Sequence, residues 1–250
     1  VTYTGFQELV GGWGVDVFKF TANGSVGYLD RGGAPIGKGD WLDYSAWTTG
    51  VTVNLPTHSA TAVGGGVTDR VFDIKDVRGG AGRDTLIGNG GNILVGGGGN
   101  DTLIDTFSGP ATGGRNLLIG GVRSDSLSAG SAGDILIGGA TGYDANNTAL
   151  MSLLAEWQSG DDYLTPFNRP QGKQKGGLTG SSKLVWGSTV KDDSFPDTLS
   201  GSTAGLDWFF ANPAQDTLNY LNQPGTEHID NVASLAPGLG TVIFGRPPGC

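Results

Sequence analysis

Between Gly79 and Ile137 a polar residue and a leucine recur as a pair. Asp84, Asn92, Asp101, Asn116, Asp125 and Asp134 are each followed two positions later by a leucine: Leu86, Leu94, Leu103, Leu118, Leu127 and Leu136. The steps between the polar positions are 8, 9, 15, 9 and 9, a period of nine with one deletion and one insertion of 6, near Asp105 to Pro110. The triplet centred on each leucine predicts a short strand whose middle side chain points inward. A repeat this short cannot bury its own apolar side and must stack on its neighbours, which is the signature of a solenoid.

Outside this stretch the pattern is looser. Gly11-Gly12-Trp13-Gly14-Val15-Asp16-Val17-Phe18-Lys19 repeats the same order once, with Phe18 at the inward position and no neighbour at the right distance. Asp16 there reads equally as a turn cap or as a metal ligand. Asp40-Trp41-Leu42 keeps the polar-plus-two rule without a full glycine set. Val51 to Leu55 alternates like a strand, Gly64 to Gly66 make a turn, and Val71 to Val77 make another strand. The N-terminal third reads as further coils or as a small β-structure over the first edge of the stack. After Ile137, Asp144 is the expected N-cap of a helix running to Gln158. Leu150, Leu153, Leu154 and Trp157 then share one face, as in a helix packed over the stack. Residues 159 to 185 read as a loop, with Pro166, Pro170 and the basic residues Arg169, Lys173 and Lys175. The period returns at Asp197-Thr198-Leu199, Asp207-Trp208-Phe209 and Asp216-Thr217-Leu218, and Pro237 to Cys250 reads as a tail.

The turns carry the chemistry. Paired glycines allow a tight backbone whose carbonyls converge, and the aspartate adds a carboxylate at the same point. Oxygen donors without thiolate or imidazole suit calcium. Gly79-Gly80-Ala81-Gly82-Arg83-Asp84-Thr85-Leu86-Ile87 and Gly96-Gly97-Gly98-Gly99-Asn100-Asp101-Thr102-Leu103-Ile104 resemble the nonapeptide G-G-x-G-x-D-x-U-x of RTX-type, hemolysin-like calcium-binding repeats. That resemblance implies an all-β fold, a right-handed parallel β-roll or β-solenoid with one inserted capping α-helix. It also implies two repeats per coil and calcium between turns two repeats apart. One edge would then carry Asp84, Asp101 and Asp125, and the other Asn92, Asn116 and Asp134. Implied ligands are Gly80, Gly82, Asp84, Gly97, Gly99, Asp101, Gly121 and Asp125 on the first edge, with Asn116 and Asp134 on the second. Asn92 with Asn116 supplies no charge and Asn116 with Asp134 only one, so loading is expected to favour the aspartate edge. Arg123 and Ala132 replace motif glycines beside Asp125 and Asp134. The stretch from Gly142 through the helix to Phe210 is similar to a terminal unit of large bacterial secreted repeat proteins, and no catalytic residue follows from that likeness. The expected divisions are 1–78 for N-terminal coils or a cap, 79–139 for the calcium-binding roll, and 140–250 for the helix, further coils and the tail.

Composition narrows the reading. Glycine accounts for 47 of 250 residues and the net charge is −9, with a pI near 4.5. Such acidity argues against nucleic acid and for bound cations or a secreted surface. No apolar run reaches the ~18 residues of a membrane span. Cys250 is the single cysteine, so no internal disulfide is expected. The chain lacks an initiator methionine and a signal peptide, as though cut from something longer or processed. His58 and His228 lie in no metal-ligand spacing, and no Gly-x-Ser-x-Gly elbow occurs. Asp161-Asp162 and Asp192-Asp193 are adjacent acids of the kind that cap turns. Trp13, Trp41, Trp47, Trp157, Trp186 and Trp208 read as core or cap packing, or, if exposed, as a sugar platform. The leading reading is a calcium-stabilised structural or interaction module of a secreted or cell-surface bacterial protein, not an enzyme. Alternatives are a self-assembling fibre, surface-layer or adhesin subunit, and a polysaccharide-active β-helix enzyme with Arg83, Arg115 or Arg123 beside the metal. Expected partners are calcium ions, copies of the chain or neighbouring modules, and extracellular polysaccharide.

Overall fold

The computed structural model describes residues 6–21, 24–30, 32, 39–110, 114–159, 179–202, 204–219 and 228–230. From Asp76 onward the chain alternates between two parallel sheets. One holds Asp76–Arg78, Ile93–Gly98, Leu117–Val122, Ile135–Ile137, Trp208–Phe210 and His228–Asp230, preceded by Val17–Lys19 and Trp41–Asp43. The other holds Thr52–Asn54, Thr85–Gly88, Thr102–Asp105, Ser126–Ser128, Thr198–Ser200 and Thr217–Asn219, with Ser59–Ala60 antiparallel at its end. Each coil is therefore one strand from each sheet. Alternate repeats pair in register: Leu86 with Leu103, Leu103 with Leu127, Leu127 with Leu199 and Leu199 with Leu218. On the other sheet Leu94, Leu118, Leu136, Phe209 and Ile229 follow one another. Leu86, Leu94, Leu103, Leu118, Leu127, Leu136, Leu199 and Phe209 point inward and belong to one buried core.

The two sheets differ on their outer faces. Around the central residue the second sheet reads Thr-Leu-Ile, Ser-Leu-Ser and Thr-Leu-Ser, and its flanking positions are half-buried. The first reads Ile-Leu-Val, Leu-Leu-Ile, Ile-Leu-Ile and Trp-Phe-Phe, and its flanks are buried too. A strand apolar on both sides needs a cover. The cover is the helix Asn147–Gln158, whose Leu150, Leu153, Leu154 and Trp157 pack on Ile93, Leu117, Ile135 and Trp208. Asn146, not Asp144, caps it: the Asn146 side chain accepts the Ala149 N–H at 3.1 Å. Asp144 sits a turn earlier and takes the Thr141 N–H and hydroxyl instead. Arg78 fixes the helix start, donating to the Asp144 carbonyl at 2.7 Å and to Asn147 Oδ1 at 2.5 Å. At the far end the Trp157 indole N–H reaches the Gly133 carbonyl at 2.7 Å.

The N-terminal third contributes to two sheets. Val17–Lys19 and Trp41–Asp43 extend the first sheet, placing Phe18 beside Leu42. Leu9–Val10, Leu29–Asp30 and Val71–Phe72 make a separate small parallel sheet. The single strand expected from Val71 to Val77 is two, since Asp73 turns with φ 58° between Val71–Phe72 and Asp76–Arg78. Residues 160–178, with Asp161, Asp162, Arg169, Lys173 and Lys175, lie outside the described residues, as does the expected tail from Pro237.

If the inward leucines carry the stack, Leu118→Ala should cost about 2–5 kcal/mol. Ser128→Ala, on the outer face of the second sheet, should stay within about 0.5 kcal/mol. Urea unfolding of the two variants measures both, and equal losses would contradict the assigned faces.

Candidate metal centre

The aspartates form a ladder. Val51, Asp84, Asp101, Asp125 and Asp197 each donate their backbone N–H to the next coil's carboxylate. The acceptors are the Oδ1 atoms of Asp84, Asp101, Asp125, Asp197 and Asp216, at 2.7, 2.7, 2.7, 2.8 and 2.9 Å. One oxygen of each carboxylate thus satisfies a backbone donor that the strand ladder leaves over. In the turns of Asp84 and Asp216 the second oxygen accepts from its own turn: Gly80 N–H to Asp84 Oδ2 at 2.7 Å and Asn212 N–H to Asp216 Oδ2 at 2.6 Å. In the turns of Asp101 and Asp125 the equivalent glycines, Gly97 and Gly121, take φ of 102° and 115°. The Gly121 N–H then turns to the carbonyls of Gly138 and Gly139. Asp101 Oδ2 and Asp125 Oδ2 are left buried without a hydrogen-bond partner.

Those oxygens share their surroundings with carbonyls. A Cβ on Gly96 would stand 2.5 Å from both Asp101 Oδ2 and the Gly120 carbonyl, and one on Gly120 would stand 2.5 Å from Asp125 Oδ2 and 2.4 Å from the Gly138 carbonyl. The Gly80 and Gly82 carbonyls approach Gly97 and Gly99 just as closely. Only a residue without Cβ allows that approach at positive φ. Gly80, Gly82, Asp84, Gly97, Gly99, Asp101, Gly121 and Asp125 are therefore gathered along one edge of the stack.

The opposite edge carries the same ladder with a different composition. Asn92, Asn116 and Asp134 donate N–H to the side chains of Asn116, Asp134 and Asp207 at 2.8, 2.7 and 2.8 Å. Both Asp134 oxygens are engaged, Oδ1 also by the Asn116 amide at 3.0 Å and Oδ2 by Gly130 N–H at 3.0 Å. Farther along, Asp16 has the neighbour its spacing hides: its N–H reaches Asp40 Oδ1 at 2.7 Å, and its own Oδ2 accepts Gly12 N–H. Val17–Lys19 and Trp41–Asp43 are neighbouring strands although 24 positions separate Asp16 from Asp40, so sequence distance misleads there. Arg115 faces away from the turns, stacked on Trp157 and donating to its carbonyl. Arg123, at φ 88°, gives its N–H to Asp193. Trp41, Trp157 and Trp208 are core residues, whereas Trp13 is 86% exposed.

Residues 76–103 and 110–141 match the model of the RTX calcium-binding nonapeptide repeat, in 4 copies. The chain carries RTX repeats. No curated protein matches it. RTX repeats bind Ca2+. The turns fit such an ion: the donors are carboxylate and carbonyl oxygens, and Asp101 Oδ2 and Asp125 Oδ2 are buried with no hydrogen-bond partner. Among the described residues no three acidic, histidine or cysteine side chains come together, so a cation held here would need backbone carbonyls as well as carboxylates. The ladder also outruns the matched residues, since Asp197, Asp207 and Asp216 continue both edges after the helix.

Burial penalises charge on these acids. It is the largest cause that raises Asp101 and Asp197 to about 7 and, together with the neighbouring aspartates, Asp125 to about 9. Asp207 is raised to about 7, again by burial first. A carboxylate whose pKa is higher in the fold than in the unfolded chain stabilises the fold below its unfolded value and loses that contribution as pH rises through the folded one. In chelator the melting temperature should therefore fall between pH 5 and pH 9. Saturating calcium, which supplies the missing positive charge, should flatten that slope. A chelated protein that grows more stable with pH over this range would contradict the assignment.

Proposed function

We propose that this chain is a calcium-stabilised structural or interaction module of a secreted or cell-surface bacterial protein, built as a parallel β-roll. The observation that carries it is the pair of buried, partnerless oxygens on Asp101 and Asp125, each beside carbonyls of the adjoining coil. Two ions are assigned to the aspartate edge, one between Asp84 and Asp101 and one between Asp101 and Asp125. Carbonyls of the turns at Gly80, Gly82, Gly97, Gly99 and Gly121 complete them. Folding and binding are then one process. Without a cation, buried carboxylates and glycine-rich turns oppose stacking; a bound cation removes the electrostatic part of that cost. RTX repeats occur in secreted bacterial proteins. Among the described residues no helix is long and apolar enough to cross a membrane. Extracellular calcium modules work at Kd of roughly 10⁻⁴–10⁻³ M, which suits filling outside the cell.

Thermal melts followed by circular dichroism test this. Free calcium at 100 Kd should add about 2.7 kcal/mol per site. Asp101→Ala, which removes the carboxylate common to both sites, should abolish most of the calcium-dependent gain. An unchanged spectrum and melting temperature in EDTA would refute the proposal.

A second reading, assembly through an end of the stack, has one observation in its favour. Among the described residues Val17–Lys19 is the terminal strand of its sheet, and Trp13, Val15 and Val17 are exposed. Open strand edges with apolar side chains pair with other chains. Sedimentation velocity in calcium should show larger species at high concentration. A monomer throughout would dismiss the reading.

A further inference from the structure

The insertion that breaks the period falls between the two matched stretches, and it begins with a buried acid. Asp105 pairs with Gly88 in the parallel ladder. By the same register it holds the turn position that Gly201 holds after the helix. At those two glycines the turn's own polar residue fills the space where a side chain would go. A Cβ would stand 2.5 Å from Asn92 Oδ1 at Gly88 and 2.9 Å from Asp207 Oδ2 at Gly201. Of the two coils between them, one has Ala129 at this position, and the other reverses the arrangement: its turn ends in Asn116, and its first position is Asp105. One carboxylate has moved from the end of the turn to its beginning.

Asp105 is 5% exposed. Its Oδ1 accepts the Phe107 N–H at 3.0 Å, and its Oδ2 is buried with no hydrogen-bond partner. That Oδ2 lies 2.0 Å from where a Cβ on Gly130 would stand, with the Phe107 carbonyl 2.9 Å from the same point. Gly130 begins the turn of Asp134 and donates its N–H to Asp134 Oδ2. The free oxygen of Asp105 is thus aimed into the Asp134 turn. Asp134 is fully buried, which raises its pKa, and Asp207 and then Asp105 raise it further. The leading groups that favour charge on the two acids are neutral N–H donors, from Phe107, Asn116, Gly90 and Gly130 for Asp105 and from Asn116 and Gly130 for Asp134, and none of them is an arginine or lysine. Two buried carboxylates without a cation cannot both be charged.

We infer that Asp105 and Asp134 hold a hard divalent cation on the second edge, with the Phe107 carbonyl as a further oxygen donor. Asp105 supplies the charge that Asn116 lacks. The inference deepens the calcium reading and rests on it for the identity of the ion. It also corrects the expectation of a single carboxylate for this pair, because Asp105 lies outside the nonapeptide spacing.

Equilibrium dialysis against calcium alone counts the ions bound by the full chain. Asp105→Gly, which restores the motif residue, should bind one fewer ion than the parent. Asp105→Gly combined with Asn116→Asp should regain it by returning the carboxylate to the end of the turn. A parent that binds calcium while Asp105→Gly binds as many ions as tightly overturns this inference and leaves the calcium reading intact. A parent that binds none overturns both. Should the variants fail to fold, anomalous diffraction from parent crystals grown in calcium decides. An anomalous peak about 2.3–2.6 Å from Asp105 Oδ2 is expected, and water or nothing at that place overturns the inference.

Discussion

The structure depends on a carboxylate oxygen meeting the backbone N–H of the coil before it. Each turn leaves a donor at the start of a strand that the parallel ladder does not use. The aspartate or asparagine of the following coil takes it, from Asp84 through Asp216 on one edge and from Asn92 through Asp207 on the other. This bond sets the spacing between coils and fixes one side-chain oxygen. The same geometry buries the other oxygen, where a charge is costly. Asparagine satisfies the first requirement as well as aspartate does, so a ladder can run through Asn92 and Asn116 unbroken. It cannot satisfy a demand for charge. Structural stacking and cation binding therefore separate at the level of a single side-chain atom.

That separation explains what the sequence reveals and what it hides. The polar-plus-two rule identifies both edges and pairs alternate repeats, because strand register and turn chemistry repeat together from Asp84 to Asp134. The helix face at Leu150, Leu153, Leu154 and Trp157 is equally legible. The reason for the helix is visible as well, although the nonapeptide reading passes over it. Triplets ending the second-edge turns, Ile93 to Val95 and Leu117 to Ile119, are apolar on both flanks, whereas Thr85 to Ile87 and Ser126 to Ser128 are not. A sheet apolar on both faces requires a cover, and the sequence supplies it after the last such strand of the matched stretch.

Other features were illegible for physical reasons. Asp16 finds Asp40 because Val17–Lys19 and Trp41–Asp43 are neighbouring strands although 24 positions separate the two acids, and no nine-residue period records that. The orphaned oxygens of Asp101 and Asp125 follow from the positive φ of Gly97 and Gly121. Gly80, in the same motif position, does not adopt that conformation and keeps its N–H on Asp84. Identical letters thus give different turns. Asp105 is hidden in another way. It ends a strand at a glycine position, so a motif that expects glycine there treats it as the start of an irregularity.

The placement of the helix follows from the same one-dimensional logic. A coil touches only the coils on either side, so the chain can leave at any turn provided that it returns in register. It leaves after Gly138-Gly139 and returns at Asp192, with Ala140–Thr141 and Val190–Lys191 pairing antiparallel at the exit. The turn is nevertheless whole: a Cβ on Gly138 would stand 2.4 Å from Asp197 Oδ2, as at Gly120 with Asp125. Residues 59 positions apart do what Gly79 and Asp84 do within one nonapeptide. Continuity of the oxygen ladder, rather than continuity of the chain, defines the turn, and the excursion it permits is the segment that covers the sheet's second apolar face.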